Sequence, residues 1–598
     1  MILAPLIRSI IACALLAGCG RLGAPSPAAL GRNLHLYEGD GPNIETPGQI
    51  SRTWHEASGV ERDALKLLTP ARLRFAISVP QGAKLELDLD TEGQALEIEL
   101  LISGAAAPPR RRTLPERGLG WRTVTFDLRQ LSGRPVELTL ELRGKSSRIQ
   151  ELWLAEPQLA AGRTDGPPNL VLVVFDALRA DHLGAYGYPR PTSPILDRLA
   201  DHGARFEIAV SPSPWTAPAM ASLLSGLYPS EHGVMRIDPT RSWVQPLGAG
   251  RNLRPLDDPG LWDLARLLRR GGYRVLAVYG NPVARYALNS APGRGFEALY
   301  NYSRYADQPE GTAFAVELAL KALRGAPEPF FLLLHVMDPH TPYAPPAAAA
   351  QPFLDPDYAG ELGLEFAGAA SPWRQLTDPN DIQRSIDLYD GEIRNADLEL
   401  RRLWRELDQT GRARRTLVAI TSDHGEEFGG PDLHGHHLRE HLLRVPLILR
   451  WPGRIGARRI ATPVTTLDLP ATLLDLLGAP ARSALPGRSL APLLRADRAA
   501  HRELLVSESL TSGPERRALR HGPWKLFSGP PFDLLVHLDR DPAERRNLAA
   551  ADPQRLGRLR AELERWEEQL RPRPFGERGP LVTSREQLER LRALGYLR

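Results

Sequence analysis

The run "NLVLVVFD", Asn169 to Asp176, is continuously apolar until it ends on an acid. A strand with one wet face alternates apolar and polar residues. An unbroken run of this kind indicates a strand buried on both faces, with helices above and below it. Four more runs share the character: "YRVLAVYG", "PFFLLLHVMD", "TLVAITSDHG" and "VPLILRWPG". Between them lie amphipathic stretches such as "LWDLARLLRRGG" and "YDGEIRNADLELRRLWRELDQTG". The alternation predicts a doubly wound α/β domain with a mostly parallel sheet over 167–480.

A chain of 598 residues exceeds one ordinary core. From Leu73 to Leu154 the pattern has period two, as in "KLELDLD", "ALEIEL" and "VELTLEL". This predicts a small antiparallel β-sandwich over 46–160, a spacer or docking module with no catalytic cluster. Residues 481–598 read as an α+β subdomain, with a short strand pair near "HGPWKLF" and a closing helix. At the start, "MILAPLIRSIIACALLAGCG" has one positive charge, Arg8, then an apolar run too short to span a bilayer. Leu16-Ala17-Gly18-Cys19 resembles the bacterial lipobox. Residues 1–19 are therefore expected to be a lipoprotein signal with Cys19 lipidated, and 20–45 a Gly/Pro/Ala-rich tether. That places the chain on a membrane of the bacterial envelope, periplasmic or extracytoplasmic.

Its two cysteines, Cys13 and Cys19, both lie in that leader, so the mature chain has no disulfide, zinc–thiolate site or catalytic thiol. The 75 basic and 71 acidic residues nearly balance, which does not suggest a nucleic-acid partner.

Chemistry in open α/β sheets collects beyond the carboxyl ends of the strands. Asp176 closes the first run, Asp423 and His424 close "LVAITSDHG", and "HVMDPHTPY" offers Asp338 and His340. The segment "DLHGHH" adds His434, His436 and His437. One such acid is usually a turn former, but several at successive strand ends suit a divalent cation of borderline character. In "SPSPWTAPAMASLLSGLYPSEHG" a helix is expected to begin near Pro218 and stop at Gly226. Its mouth favours an anion. Thr216 there is either a cap or a nucleophile activated by a metal on Asp176, Asp423 and His424. His335 is expected to be a core histidine, His437 to pack or face solvent, and His182 and His232 have no assigned task.

The ordered motifs "PNLVLVVFDALRADHLGAYGY", "TSPILDRLADHGARF", "TAPAMASLLSG", "DPHTPY", "YDGEIRNAD", "TSDHGEEFG", "RVPLILRWPG", "LPGRSLAPLL" and "LDRDPAERRNL" resemble the sulfatase family of the alkaline phosphatase superfamily, over about 168–598. The family signature is Cys or Ser, any residue, Pro, any residue, Arg, with the first residue oxidised to formylglycine. Here the register reads Thr216-Ala217-Pro218-Ala219-Met220. Thr is not a known substrate for that oxidation, and Met220 stands where the Arg would be. Ala177 replaces a second carboxylate beside Asp176, and Asp423-His424 replaces an Asp-Asn pair.

The resemblance is therefore to the phosphodiesterase, phosphonate monoester hydrolase and lipoteichoic-acid-synthase branches. It implies one divalent metal (Mn, Zn or Ca) held by Asp176, Thr216, Asp423 and His424. It also implies double displacement through a Thr216 alkoxide on a sulfate or phosphate ester, with phosphodiester or phosphonate favoured. His340 and one of His434 or His436 would stabilise the anion or protonate the leaving oxygen. A second metal on Asp338, His340 and a downstream His ranks below the single-metal version. Two other readings are a transferase moving phospho-substituents between envelope glycans or lipids, and a degenerate binding lipoprotein, for which Met220 and Ala177 argue.

Overall fold

The computed structural model describes residues 34–35 and 43–570, apart from internal stretches of which the longest are 246–262 and 365–375. Cys19 and the leader lie outside the described residues. Between 43 and 160 two antiparallel sheets face each other across Leu73, Leu87, Ile98 and Leu140. One of them contains β1 (Val60–Leu68), which pairs with Ser51–Ala57 and Glu151–Ala155 and has a further neighbour that is not part of the sandwich.

The larger unit contains β2 (Asn169–Phe175), α1 (Pro194–Asp201), α2 (Thr216–Ser225), β3 (Arg274–Tyr279) and β4 (Ala298–Asn301). It continues with α3 (Gly311–Gly325), β5 (Phe330–Val336), α4 (Pro379–Gln409), β6 (Thr416–Ser422) and β7 (Leu447–Arg450). In space the strands run β4-β3-β5-β2-β6-β7, parallel except for the antiparallel β7. This is the expected α/β architecture, and every residue of β2, β5 and β6 is buried.

The sandwich does not hang from this domain as a separate body. β1 pairs antiparallel with β4, with Tyr300 opposite Val60 and Leu299 opposite Glu61, so one 15-stranded sheet runs through both units. Polar groups buried at the seam are paired across it. Glu61 accepts from the Tyr279 hydroxyl at 2.8 Å and from Arg285, while Asp63, held by Arg52 of its own unit at 2.7 Å, takes Arg269 across the seam at 3.5 Å. Stripping one member from such a pair costs roughly 3–5 kcal/mol.

The expected C-terminal strand pair is a four-stranded antiparallel sheet, Leu504–Ser509, Arg516–His521, Trp524–Ser528 and Leu534–His537. It packs under α5 (Pro553–Gln569). Its first strand grips the loop before α2: Ser507 Oγ donates to the Ser211 carbonyl at 2.7 Å and the Glu508 N–H to the Pro212 carbonyl at 2.8 Å. No helix among the described residues is long and apolar enough to cross a membrane.

Candidate active site

Side chains alternate across a strand, so residues two apart share a face. Leu170, Leu172 and Val174 of β2 share an apolar cluster with Val275, Ala277 and Tyr279 of β3. Phe331 and Leu333 of β5 and Leu417 and Ala419 of β6 join the same cluster. Continued at period two, those rows end in Asp176, Asn281, His335 and Asp423, all four buried. The helix α2 packs on this same face through Ala217, Met220 and Ala221. The sheet register thus aims four polar groups at the first turn of one helix.

That turn begins with Thr216 itself. The N-cap is Trp215, extended at φ −156° and ψ 160°, and it makes no side-chain capping bond. Thr216 is therefore the first helical residue rather than a cap, two residues earlier than expected, and Gly226 ends the helix at φ 70°. The Thr216 Oγ1 lies 3.4 Å from Asp176 Oδ1 and 3.3 Å from His424 Nε2, and those two atoms are 3.4 Å apart. All three distances are long for direct hydrogen bonds. They match the edges of a tetrahedron about an ion with bonds of about 2.0–2.1 Å, which are about 3.3–3.4 Å long.

The tautomer of His424 fits the same use. Its Nδ1 lies 2.8 Å from the Gly425 carbonyl, an acceptor only, so Nδ1 carries the hydrogen and Nε2 turns a lone pair toward Thr216. Asp423 Oδ1 accepts the N–H groups of His424 at 2.7 Å and Ala177 at 3.2 Å, while its Oδ2 is buried with no hydrogen-bond partner. Both ring nitrogens of His335 are likewise buried without one, and its Nε2 stands 3.7 Å from Asp176 Oδ2 and 3.8 Å from Asp423 Oδ2. Asp176, His335 and Asp423 form a fully buried group able to hold a metal ion. His335 is thus not a bystander in the core; the register of β5 places it beside the two acids.

Asn281 joins this group without having been singled out by charge or motif. Its Nδ2 donates to Asp176 Oδ2 at 2.6 Å and lies 3.4 Å from Thr216 Oγ1, fixing the carboxylate that faces the hydroxyl. Ala177 adopts φ 62°, and the turn it makes is held by Tyr389, whose hydroxyl donates to the Ala177 carbonyl at 2.7 Å and accepts the Arg179 N–H at 2.9 Å. Met220 is fully buried in the apolar cluster behind the helix.

Above this group three imidazoles gather. The His434 ring lies 4.7 Å from that of His424 and 4.8 Å from that of His340, centre to centre. The Nδ1 of His434 is 3.0 Å from Glu426 Oε1, a buried carboxyl that burial raises to about 7. His340 is held by its Nδ1–H to the Thr341 carbonyl, and burial, with His434 beside it, pushes the imidazole down to about 4. His436 lies outside the described residues.

Asp338 does not join His340. Thr312 and Asn395 donate to its Oδ2, and it shares a buried pocket with Glu392, so among the described residues the second-metal set of Asp338, His340 and a downstream His is not gathered. His182 and His232 are structural. His182 is bonded to Asp390 at 2.8 Å, and His232 lies 2.9 Å from Ser222 Oγ and 3.2 Å from the Pro218 carbonyl.

Burial, reinforced by the charge of Asp423, pushes the Asp176 carboxyl well above the ordinary carboxylate range. The folded, metal-free protein therefore keeps a proton there at pH values where the unfolded chain has lost it, and stability falls as pH rises through that raised range. Buried Asp338, Glu426 and Asp397 add the same sign, while His232, His340 and His441, whose imidazoles burial holds low, add the opposite sign below the ordinary histidine range. A cation that displaces the Asp176 proton removes that residue's share alone. The gain in melting temperature from added divalent metal is therefore expected to grow from weakly acid to neutral pH. A metal-induced gain that is flat with pH would contradict this.

Comparison with known proteins follows the same lines. The family model described as Sulfatase matches residues 168–479, just over half of the chain. Steryl-sulfatase of Mus musculus is 28% identical over 451 residues, covering 61% of this chain and 70% of its own. The multifunctional alkaline phosphatase superfamily protein PehA of Trinickia caryophylli is 28% identical over 405 residues, covering 54% and 77%. The crystal structure of the phosphonate monoester hydrolase of Agrobacterium radiobacter superposes with a TM-score of 0.53 at 22% identity, covering 67% of this chain and 96% of that one.

Proposed function

The chain belongs to the sulfatase family, ester hydrolases of the alkaline phosphatase superfamily, and from that premise we propose that it cleaves phosphodiester or phosphonate monoester bonds with Thr216 as nucleophile. The observation that carries this reading is the triangle of Thr216 Oγ1, Asp176 Oδ1 and His424 Nε2, with edges of 3.3 to 3.4 Å, at the open end of α2. The likeness to PehA and to a phosphonate monoester hydrolase supports the choice of phosphorus; the steryl-sulfatase likeness keeps sulfate esters in the test.

Asp176, Asp423, His424 and His335 would hold a divalent cation with Thr216 facing it, and the nitrogen donors favour a borderline ion such as zinc or manganese over calcium. Such an ion supplies positive charge that lowers the Thr216 hydroxyl pKa and offsets charge on the substrate oxygens. The chain's own groups do the rest. Asp176, fixed by Asn281, orients the hydroxyl, and the positive end of the α2 dipole favours the anionic ester. Thr216 Oγ, its proton lost to solvent beforehand, forms the bond to phosphorus as the bond to the leaving oxygen breaks, and that oxygen takes a proton from the imidazolium of His434. Water then attacks phosphorus, gives its proton back to His434, and the bond to Thr216 breaks. Glu426 steadies the positive charge of His434 in both steps. His340 is neutral at neutral pH with Nδ1–H engaged, so it serves the bound anion, whose charge favours its protonation, rather than the first proton transfer.

Glu426→Gln is expected to lower kcat about 10- to 100-fold without loss of metal. Its pH–rate profile should lose the acid limb that reports Glu426 ionisation. Unchanged kcat would remove His434 as the proton carrier. The reading as a whole is tested with matched aryl sulfate, phosphate monoester, phosphodiester and phosphonate substrates on metal-reconstituted protein. Faster turnover of the sulfate than of either phosphorus diester or phosphonate would overturn the substrate assignment.

A further inference from the structure

The loop that follows β6 turns its acids in two directions. Glu426 reaches inward to His434. Glu427, the next residue, faces the other side and meets two different histidines. One oxygen of its carboxylate, Oε2, is 2.7 Å from His437 Nε2, and the other, Oε1, is 3.7 Å from His441 Nε2. The two imidazoles meet edge to face with centres 5.2 Å apart. One donor atom from each of the three residues falls within 4.8 Å of the other two.

We propose that Glu427, His437 and His441 form a second metal site, for a zinc-type cation, outside the catalytic centre. It shares no ligand with the group around Thr216. The strongest sign is His441 Nε2: it is buried with no hydrogen-bond partner and faces the Glu427 carboxylate across a gap too wide for a hydrogen bond. That gap is close to the separation of two donors on one small cation. Two imidazoles with one carboxylate are a donor set for zinc, cobalt or nickel rather than for calcium or magnesium, which prefer oxygen. The side chains are 21% to 27% exposed, so an ion can enter and water can complete its shell. The Arg179 guanidinium, which packs over Phe428 on the same loop, is neutralised by Asp181 at 2.8 Å.

The place of the site gives it a use. Its ligands join the loop carrying Asp423, His424 and Glu426 to the segment that carries His434. A cation here staples the two and fixes how far His434 stands from the catalytic group, acting through position rather than on the substrate.

The test is metal content of the tag-free, full-length protein after zinc reconstitution and gel filtration, with cobalt absorption as the second readout. The wild type is expected to hold two equivalents. His437→Ala/His441→Ala should lose one and keep the equivalent that Asp423→Asn removes, and Asp423→Asn should keep the one the double variant loses. A double variant holding as much metal as the wild type overturns the proposal, as does a wild type whose single equivalent depends on Asp423 alone. Where the double variant fails to fold, Glu427→Gln, isosteric and still able to bond His437, should weaken one class of site at least about 10-fold. No change in either class would be equally fatal to the proposal.

Discussion

Thr216→Ala is expected to reduce turnover of the preferred phosphodiester or phosphonate by about four orders of magnitude or more, with metal content and melting temperature nearly unchanged. Losses of about 10⁴ to 10⁶ are what removal of an enzyme's nucleophile costs when binding and electrostatic stabilisation remain. The fold should tolerate the change. Thr216 is the first residue of α2, its hydroxyl stands 3.3 to 3.4 Å from Asp176 and His424, and Trp215 already acts as N-cap. Alanine is at least as good a helix former as threonine. Thr216→Ser should recover a measurable part of the rate, because it keeps the oxygen and loses only the methyl group that limits its rotamers. A phosphoenzyme trapped by acid quench would then carry its label on residue 216 and be missing from the alanine variant. If Thr216→Ala keeps even a tenth of the wild-type rate, water attacks directly and the residue only positions the site.

The second large effect is expected at Asp423. Asp423→Asn is nearly isosteric, and its side-chain oxygen can still accept the N–H groups of Ala177 and His424. What disappears is a buried negative charge near Asp176. Without metal, the variant should melt close to the wild-type temperature, since asparagine keeps both backbone bonds and removes only a buried charge that has no cation to meet. With metal, the two should part. Stabilisation by a ligand grows as RT ln(1 + [L]/Kd), so a cation affinity weakened about 100-fold or more removes about 2.7 kcal/mol of metal-induced stability at saturating metal. Activity should fall with site occupancy and return partly at high metal concentration. Equal melting gains for wild type and variant on adding metal would show that Asp423 holds no ion.

The sheet was legible in the sequence because a strand buried on both faces has little choice of residue. The runs ending at Asp176 and Asp423 led straight to the site, as did the helix carrying Thr216. His335 and Asn281 show where such reading stops. Each lies on the right face by counting in twos from its own strand, but what it meets depends on the register with β2 and β6, which pair across long stretches of chain. Asn281 also carries no charge to attract notice. Asp338 is the converse case. It follows a strand as a ligand should, yet Asn395 and Glu392 of α4, distant in sequence, take it up. β1 went unread for a related reason. With a neighbour on both sides and cover on both faces, "VERDALKLL" shows a burial pattern without clean alternation, and the period-two signal emerges only farther along, from Leu73.

The pairing of β1 with β4 bears on how this protein can change over evolutionary time. Accessory modules are usually shuffled as beads on a string, joined by linkers that ask nothing of their neighbours. Here the N-terminal unit supplies the strand that closes the edge of the catalytic sheet, together with the acids at 61 and 63 that answer Arg285, Tyr279 and Arg269. A replacement would have to bring an antiparallel strand in the same register with carboxylates at the same two places, or leave an open, apolar edge ready to pair with other chains. The two units are therefore bound to be inherited together, and substitutions at their seam should be found in matched pairs.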